Sequence, residues 1–210
     1  YAVSIDVPAN VPQEVDLFIS EYVERSSGSY KAIEIYNPTG SDINLSDYTI
    51  KQAAGGAGWG NHPSNGAVGG FIHPLTGNLT AGDVYVLAAD QASGIEDVVD
   101  EALSYPSVCH FAGDDAVGLF KNDVLIDVIG VPTVDPTGNT WDVAGVSGAT
   151  EDHRLVRKPS ITSGNTDWSS SAGTNGDDSE WIVDNVSSYV AEDFLVTLGS
   201  HVIAGGENLP

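Results

Sequence analysis

A single cysteine rules out any disulfide framework inside this 210-residue chain. None is needed, because a domain of this length hides well over half the surface its unfolded chain would expose. Cys109 lies close to Val108 and Phe111 with no activating motif, which predicts a buried structural thiol. Cations are the next scarcity: seven Lys and Arg stand against thirty Asp and Glu, a formal net charge of −23. Such a field repels nucleic acid and anionic lipid and attracts divalent cations and basic partners. It also suits salty surroundings, where screening relieves self-repulsion. With hydrophobic residues at 41%, acidity here means a solvated surface and not disorder. No apolar run approaches a membrane span, so the chain is expected to be soluble, with no membrane partner. The opening Tyr1-Ala2-Val3-Ser4 has neither a basic nor an apolar leader region; a signal peptide would have been removed before it.

Catalytic signatures are missing as well. There is no G-x-S-x-G elbow, no H-E-x-x-H, no phosphate-cradling Gly-Lys loop and no EF-hand spacing.

What remains is a rhythm of short apolar runs between clusters of Ser, Thr, Gly, Asn and Asp, which predicts an all-β fold. Strands are expected at 16–23, 32–36, 48–52, 84–88, 154–158, 181–183 and 194–201, with a hairpin of 116–121 and 124–129 turning at Asn122-Asp123. Residues 53–74, rich in Gly, read as a long exposed loop, and 164–180 as a Gly- and Ser-rich one. One helix is predicted over 95–103: Ser93 and Glu96 form a capping box, Ile95, Val98, Val99, Ala102 and Leu103 share a helical face, and Pro106 ends it.

Several segments, in order, resemble the lamin-tail domain of secreted bacterial proteins. They are Leu17-Phe18-Ile19-Ser20-Glu21-Tyr22, Ala32-Ile33-Glu34-Ile35-Tyr36-Asn37-Pro38-Thr39-Gly40 and Ile43-Asn44-Leu45-Ser46-Asp47-Tyr48. Leu79-Thr80-Ala81-Gly82-Asp83-Val84-Tyr85, Gly113-Asp114-Asp115-Ala116 and Ile126-Asp127-Val128-Ile129-Gly130 follow. Asp152-His153-Arg154-Leu155, Ser179-Glu180-Trp181 and Leu198-Gly199-Ser200-His201 complete the set. The resemblance implies an immunoglobulin-like β-sandwich over 14–203, between an extended arm at 1–13 and a tail at 204–210. It implies no catalytic residues and no cofactor. Such domains are commonly attached to extracellular nucleases, phosphatases or cell-surface proteins.

Five groups of residues admit a chemical reading beside a structural one. His62 and His73 flank the glycine-rich loop, but zinc asks for three or four convergent ligands, and plain loop histidines are favoured. Asp114-Asp115 and Gly176-Asp177-Asp178-Ser179-Glu180 offer oxygen ligands for a structural calcium; solvated turns are favoured. Glu21 and Glu34 are paired carboxylates on strands without a demonstrated cleft, which favours a structural role; alternation puts Glu21 on the face of Ile19 and Val23. Arg154, Arg157 and Lys158 form a phosphate patch or, preferably, ion pairs with neighbouring carboxylates. Among Trp59, Trp141, Trp168 and Trp181, the first alone sits in an exposed-looking loop where sugars stack.

The expected function is a non-catalytic accessory or adhesion domain of a larger secreted bacterial protein. Its partners would be other domains of the parent or an extracellular or cell-surface ligand, with no direct nucleic-acid binding. The alternative is a calcium-assisted carbohydrate-binding module built on Trp59.

Overall fold

The computed structural model describes residues 15–25, 29–61, 71–136, 140–186 and 197–205. The arm expected at 1–13 lies outside them. Among the described residues, strands β1 (Phe18–Arg25), β2 (Tyr30–Tyr36), β7 (Val84–Ala89), β8 (Glu101–Leu103), β11 (His153–Arg157) and β12 (Trp181–Asn185) form one sheet, ordered β12-β11-β1-β2-β7-β8. A second sheet, β10-β9-β4-β5, uses β4 (Tyr48–Ala53), β5 (Ile72–Pro74), β9 (Ala116–Lys121) and β10 (Val124–Ile129). A two-residue ladder joins β3 (Ile43–Asn44) to β6 (Asn78–Leu79). The fold is an immunoglobulin-like sandwich, as expected.

Its core follows from strand alternation. Ile19, Tyr22, Ile33, Ile35, Leu87 and Leu155 of the larger sheet meet Tyr48, Ile50, Val117, Leu119 and Val128 of the smaller one. The larger sheet is apolar on its outer face too, where Phe18, Val23, Ala32, Tyr36 and Val86 lie under Ala92, Ile95 and Leu198. Burial on both faces explains why β1 carries so little exposed surface. The β9–β10 hairpin turns through Asn122 and Asp123, both at positive φ, as a two-residue loop between right-twisted strands requires.

Five sequence expectations give way. Residues 95–99 form turns, and 101–103 form β8, parallel to β7. The open edge of β7 decides this: Asp100 N–H donates to Val86 O (3.0 Å), Val86 N–H to Asp100 Oδ2 (2.8 Å), and Asp90 N–H to Leu103 O (3.0 Å). The capping box never closes, because Glu96 accepts from Gly94 N–H and Ser93 meets the Tyr30 hydroxyl. Ile95, Val98 and Val99 do share one apolar cluster, so the face was legible although the helix was not.

The short helix is instead α1 (Trp168–Ala172), inside the segment read as loop, with Asp167 accepting from Ser170 N–H at its start. The glycine-rich 53–74 stretch holds a 3-10 turn at Ala54–Gly56 and strand β5, while 62–70 lie outside the described residues. Of the closing strand, 194–196 also lie outside, and 197–201 are turn and irregular backbone. Finally, a bulge between Ile19 and Glu21 breaks the alternation, so Ile19 faces the core while Glu21 shares the other face with Val23.

Glycine is required after α1. Gly173 has φ +64°, and a Cβ there would lie 2.5 Å from Ser179 N. Gly173→Ala combines a clash with rigid backbone and a left-handed residue, and should remove about 2–4 kcal/mol. Gly176→Ala, where nothing lies within 4 Å of a Cβ, should change stability by less than about 0.5 kcal/mol. Calorimetric melting of both variants checks the pair; equal losses would refute the steric account.

Candidate functional site

The densest charge chemistry lies where β1, β10, β11 and β12 meet. Arg157, the last residue of β11, is fully buried and donates both Nη2 bonds to Asp127 of β10 (2.7 and 2.6 Å). Its Nη1 reaches Ser171 Oγ of α1 (3.0 Å) and Glu180, and its Nε the carbonyl of Ile19 (3.2 Å). The guanidinium lies 3.9 Å from the Trp181 ring centroid. Asp127 in turn accepts from the N–H groups of Ile19 (2.8 Å), Val128 (3.0 Å) and Asn165 (2.9 Å). The pair therefore takes both backbone groups of Ile19, at the β1 bulge. Asp127 itself adjoins the second bulge, between Leu125 and Asp127. A planar cation with five donors suits this clasp in a way a lysine would not.

The other members of the predicted basic patch are occupied likewise. Arg154 pairs with Asp184 (2.6 Å), and Lys158 Nζ donates to the carbonyls of Gly176 (2.7 Å) and Ser179. The cations are thus brought into the fold and not gathered on its surface. Sequence reasoning singled out Arg157 but not Asp127. The missed signal is an acid inside the apolar run of β10, Val-Leu-Ile-Asp-Val-Ile, which has to be bonded once buried.

Glu21 and Glu34 are brought together: they are cross-strand partners, 1% and 0% exposed. Glu34 accepts from Ser20 Oγ (2.7 Å) and Gly199 N–H (2.6 Å), yet burial still raises its pKa. Among the described residues, no hydrogen bond of ordinary geometry reaches either carboxyl oxygen of Glu21. Burial, then the Glu34 charge, lifts its pKa from 4.5 to about 8; the nearby Thr197 hydroxyl eases the shift without making a bond of ordinary geometry.

One carboxylate of each acidic loop is held by donors of the protein. Asp115 is buried, accepting from Gly55 N–H, Gln52 Nε2 and Ala112 N–H, each at 2.8 Å, and desolvation raises its pKa. Asp178 accepts from the Thr174 hydroxyl (2.7 Å) and the Thr174 and Asn175 N–H groups, bonds that lower its pKa. Among the described residues, no three His, Cys, Asp or Glu side chains are grouped to suit a metal ion.

The described histidines stay apart. His73 lies 3.0 Å from Glu101, His110 bonds Ser107 (2.8 Å), and His201 sits edge-on against both Phe18 and Tyr36, its pKa pushed down to about 4 by burial. His62 lies outside the described residues. Cys109 is buried, and desolvation pushes its thiol up, as a structural thiol should be. Trp59 is half-buried, edge-on to Phe120 at 5.3 Å and over Gly118, so the loop it occupies folds back onto the sandwich. Trp168 and Trp181 are core, and Trp141 covers Gly130.

No curated protein matches the chain. The family model of the Lamin Tail Domain matches residues 10–133, which run from before β1 to just after β10. That match covers more than half of the chain, and its sandwich has the immunoglobulin-like form of that family. The chain belongs to the lamin tail domain family, whose members are non-catalytic immunoglobulin-like domains.

Proposed function

We propose that this chain is a non-catalytic accessory or adhesion module of a larger secreted bacterial protein. It would hold or place a partner domain, such as an extracellular nuclease or another hydrolase, or contact a ligand at a cell surface. One observation carries the reading: the cationic side chains are committed to partners within the fold. Besides the three of the clasp region, Lys31 pairs with Glu24, Lys51 with Asp123 (2.9 Å), Lys121 with Asp16 (2.7 Å), and Arg25 lies over the Tyr30 ring. All seven Lys and Arg are thereby engaged in a chain of net charge −23.

Phosphate contacts by free Lys and Arg supply most non-specific DNA affinity. The 210-residue chain is therefore expected to bind labelled single- and double-stranded DNA more weakly than about 10⁻⁴ M at physiological salt, with magnesium and calcium present. Fluorescence anisotropy measures this directly; micromolar, salt-sensitive binding would overturn it. The same protein on a glycan array should give no chelator-sensitive signal, and such a signal would favour the carbohydrate-binding alternative. Turnover of nucleic-acid or phosphoester substrates would overturn the accessory reading altogether.

A further inference from the structure

The Glu21–Glu34 pair lies beneath residues 197–203, on the outer face of the larger sheet. That segment is fastened at three points. Gly199 N–H donates to Glu34 Oε2 (2.6 Å), Leu198 enters the apolar cluster of Phe18, Tyr36 and Val86, and His201 packs edge-on against both Phe18 and Tyr36. The fit is tight: at Gly199, φ +95°, a Cβ would meet Val98 at 2.9 Å.

The two carboxyls beneath are not equivalent. Glu34 receives donors only, from Ser20, Gly199 and the Ser200 backbone, which is the environment of a carboxylate. Glu21 receives none, which is the environment of a neutral acid. Around them stand Arg154 of β11 and Asp184 of β12, already paired with each other, the Thr197 hydroxyl, and Asp83 ahead of β7. Ionising Glu21 places a second negative charge opposite Glu34 in a buried site, where the Thr197 hydroxyl and Arg154 ease the charge less than desolvation and Glu34 oppose it.

We propose that residues 197–203 form a proton-controlled clasp, seated while the Glu21–Glu34 pair holds one proton and loosened when both carboxyls ionise. Lifting the segment takes Thr197, Gly199 and Ser200 off the two carboxyls. It uncovers Phe18 and Tyr36 and leaves the inter-sheet core intact. This goes beyond the accessory role, since it concerns when one face of the module is covered and not what the module serves.

The test is amide exchange on the whole chain, corrected for intrinsic rates, from pH 5 to 9.5. Glu21 titrates near 8 when covered and at its ordinary 4.5 when uncovered, while His201 titrates near 4 when covered and at its ordinary 6.5 when uncovered, so the two effects offset each other below about pH 6.5. From there protection of the Gly199 N–H should fall about tenfold per unit up to about pH 8 and then level. In Glu21→Gln the protection should be flat above about pH 6.5. Protection of β2 core amides such as Ile33 should exceed that of Gly199 throughout. Flat protection in the wild type between about pH 6.5 and 8, a slope over that range surviving in Glu21→Gln, or Gly199 protection as high as that of the β2 core amides would overturn the proposal. Should the variant fail to fold, the ¹³Cδ resonance of Glu21 in the wild type decides: titration near 8 with loss of Gly199 protection supports the clasp, and titration near 4.5 overturns it.

Discussion

Arg157→Ala is expected to remove about 3–5 kcal/mol of stability, the range for breaking a buried pair by deleting one partner. Asp127 keeps three backbone donors, which soften the loss, but its charge is then uncompensated in a site with no exposure. The same change removes one donor each from the Ile19 carbonyl, the Ser171 hydroxyl and Glu180, the latter two keeping their mutual bond (2.9 Å), and leaves a void against Trp181. For a chain of this length the melting temperature should drop by on the order of 10 °C. Replacing buried ion pairs by apolar residues is sometimes harmless. Here it should not be, because Asp127→Leu with Arg157→Met also takes the carboxylate acceptor from the N–H groups of Ile19, Val128 and Asn165, of which Val128 keeps the Asn165 carbonyl (3.2 Å). The double variant should stay at least about 2 kcal/mol below wild type. Urea titrations decide it: an Arg157→Ala loss under 1 kcal/mol would show the clasp to be dispensable.

Glu21→Gln is expected to do the opposite. In the fold Glu21 titrates near 8, and once unfolded near 4.5. Between those values the folded chain keeps a proton that the unfolded chain has released. Stability therefore falls by about 1.4 kcal/mol per unit as pH rises from 4.5 towards 8, and is level beyond. Glutamine has the shape of the protonated acid and no proton to lose. At pH 7 the variant should be more stable by on the order of 3 kcal/mol, and near pH 4 the difference should vanish. Denaturation series at both pH values check this; an unchanged or less stable variant at pH 7 means the carboxyl is solvated.

The fold class could be read because strand alternation and turn chemistry are local. The β9–β10 hairpin and its Asn122-Asp123 turn needed no distant information. Residues 95–103 could not, since β8 exists only because β7 presents an open edge, and nothing near Ser93 encodes that. Glu21 escaped for a related reason: one bulge residue reverses the parity of every side chain before it. The clasp was half legible. Clustered arginines are visible in a sequence, but the aspartate that neutralises Arg157 lies thirty residues away on another sheet.

The order of strands across the larger sheet has a consequence in time. β1 is an interior strand, and its second neighbour, β11, follows some 130 residues later, pairing Tyr22 with Leu155. On the ribosome, β1, β2 and β7 are complete long before β11 emerges. Until then β1 presents an unpaired edge flanked by apolar side chains, a template for the wrong strand. Closing so long a loop before its contacts are rewarded slows folding. The interval between synthesis of β1 and arrival of β11 is the stage at which this protein is most exposed to aggregation. A strongly acidic chain meets that interval with charge repulsion between nascent copies.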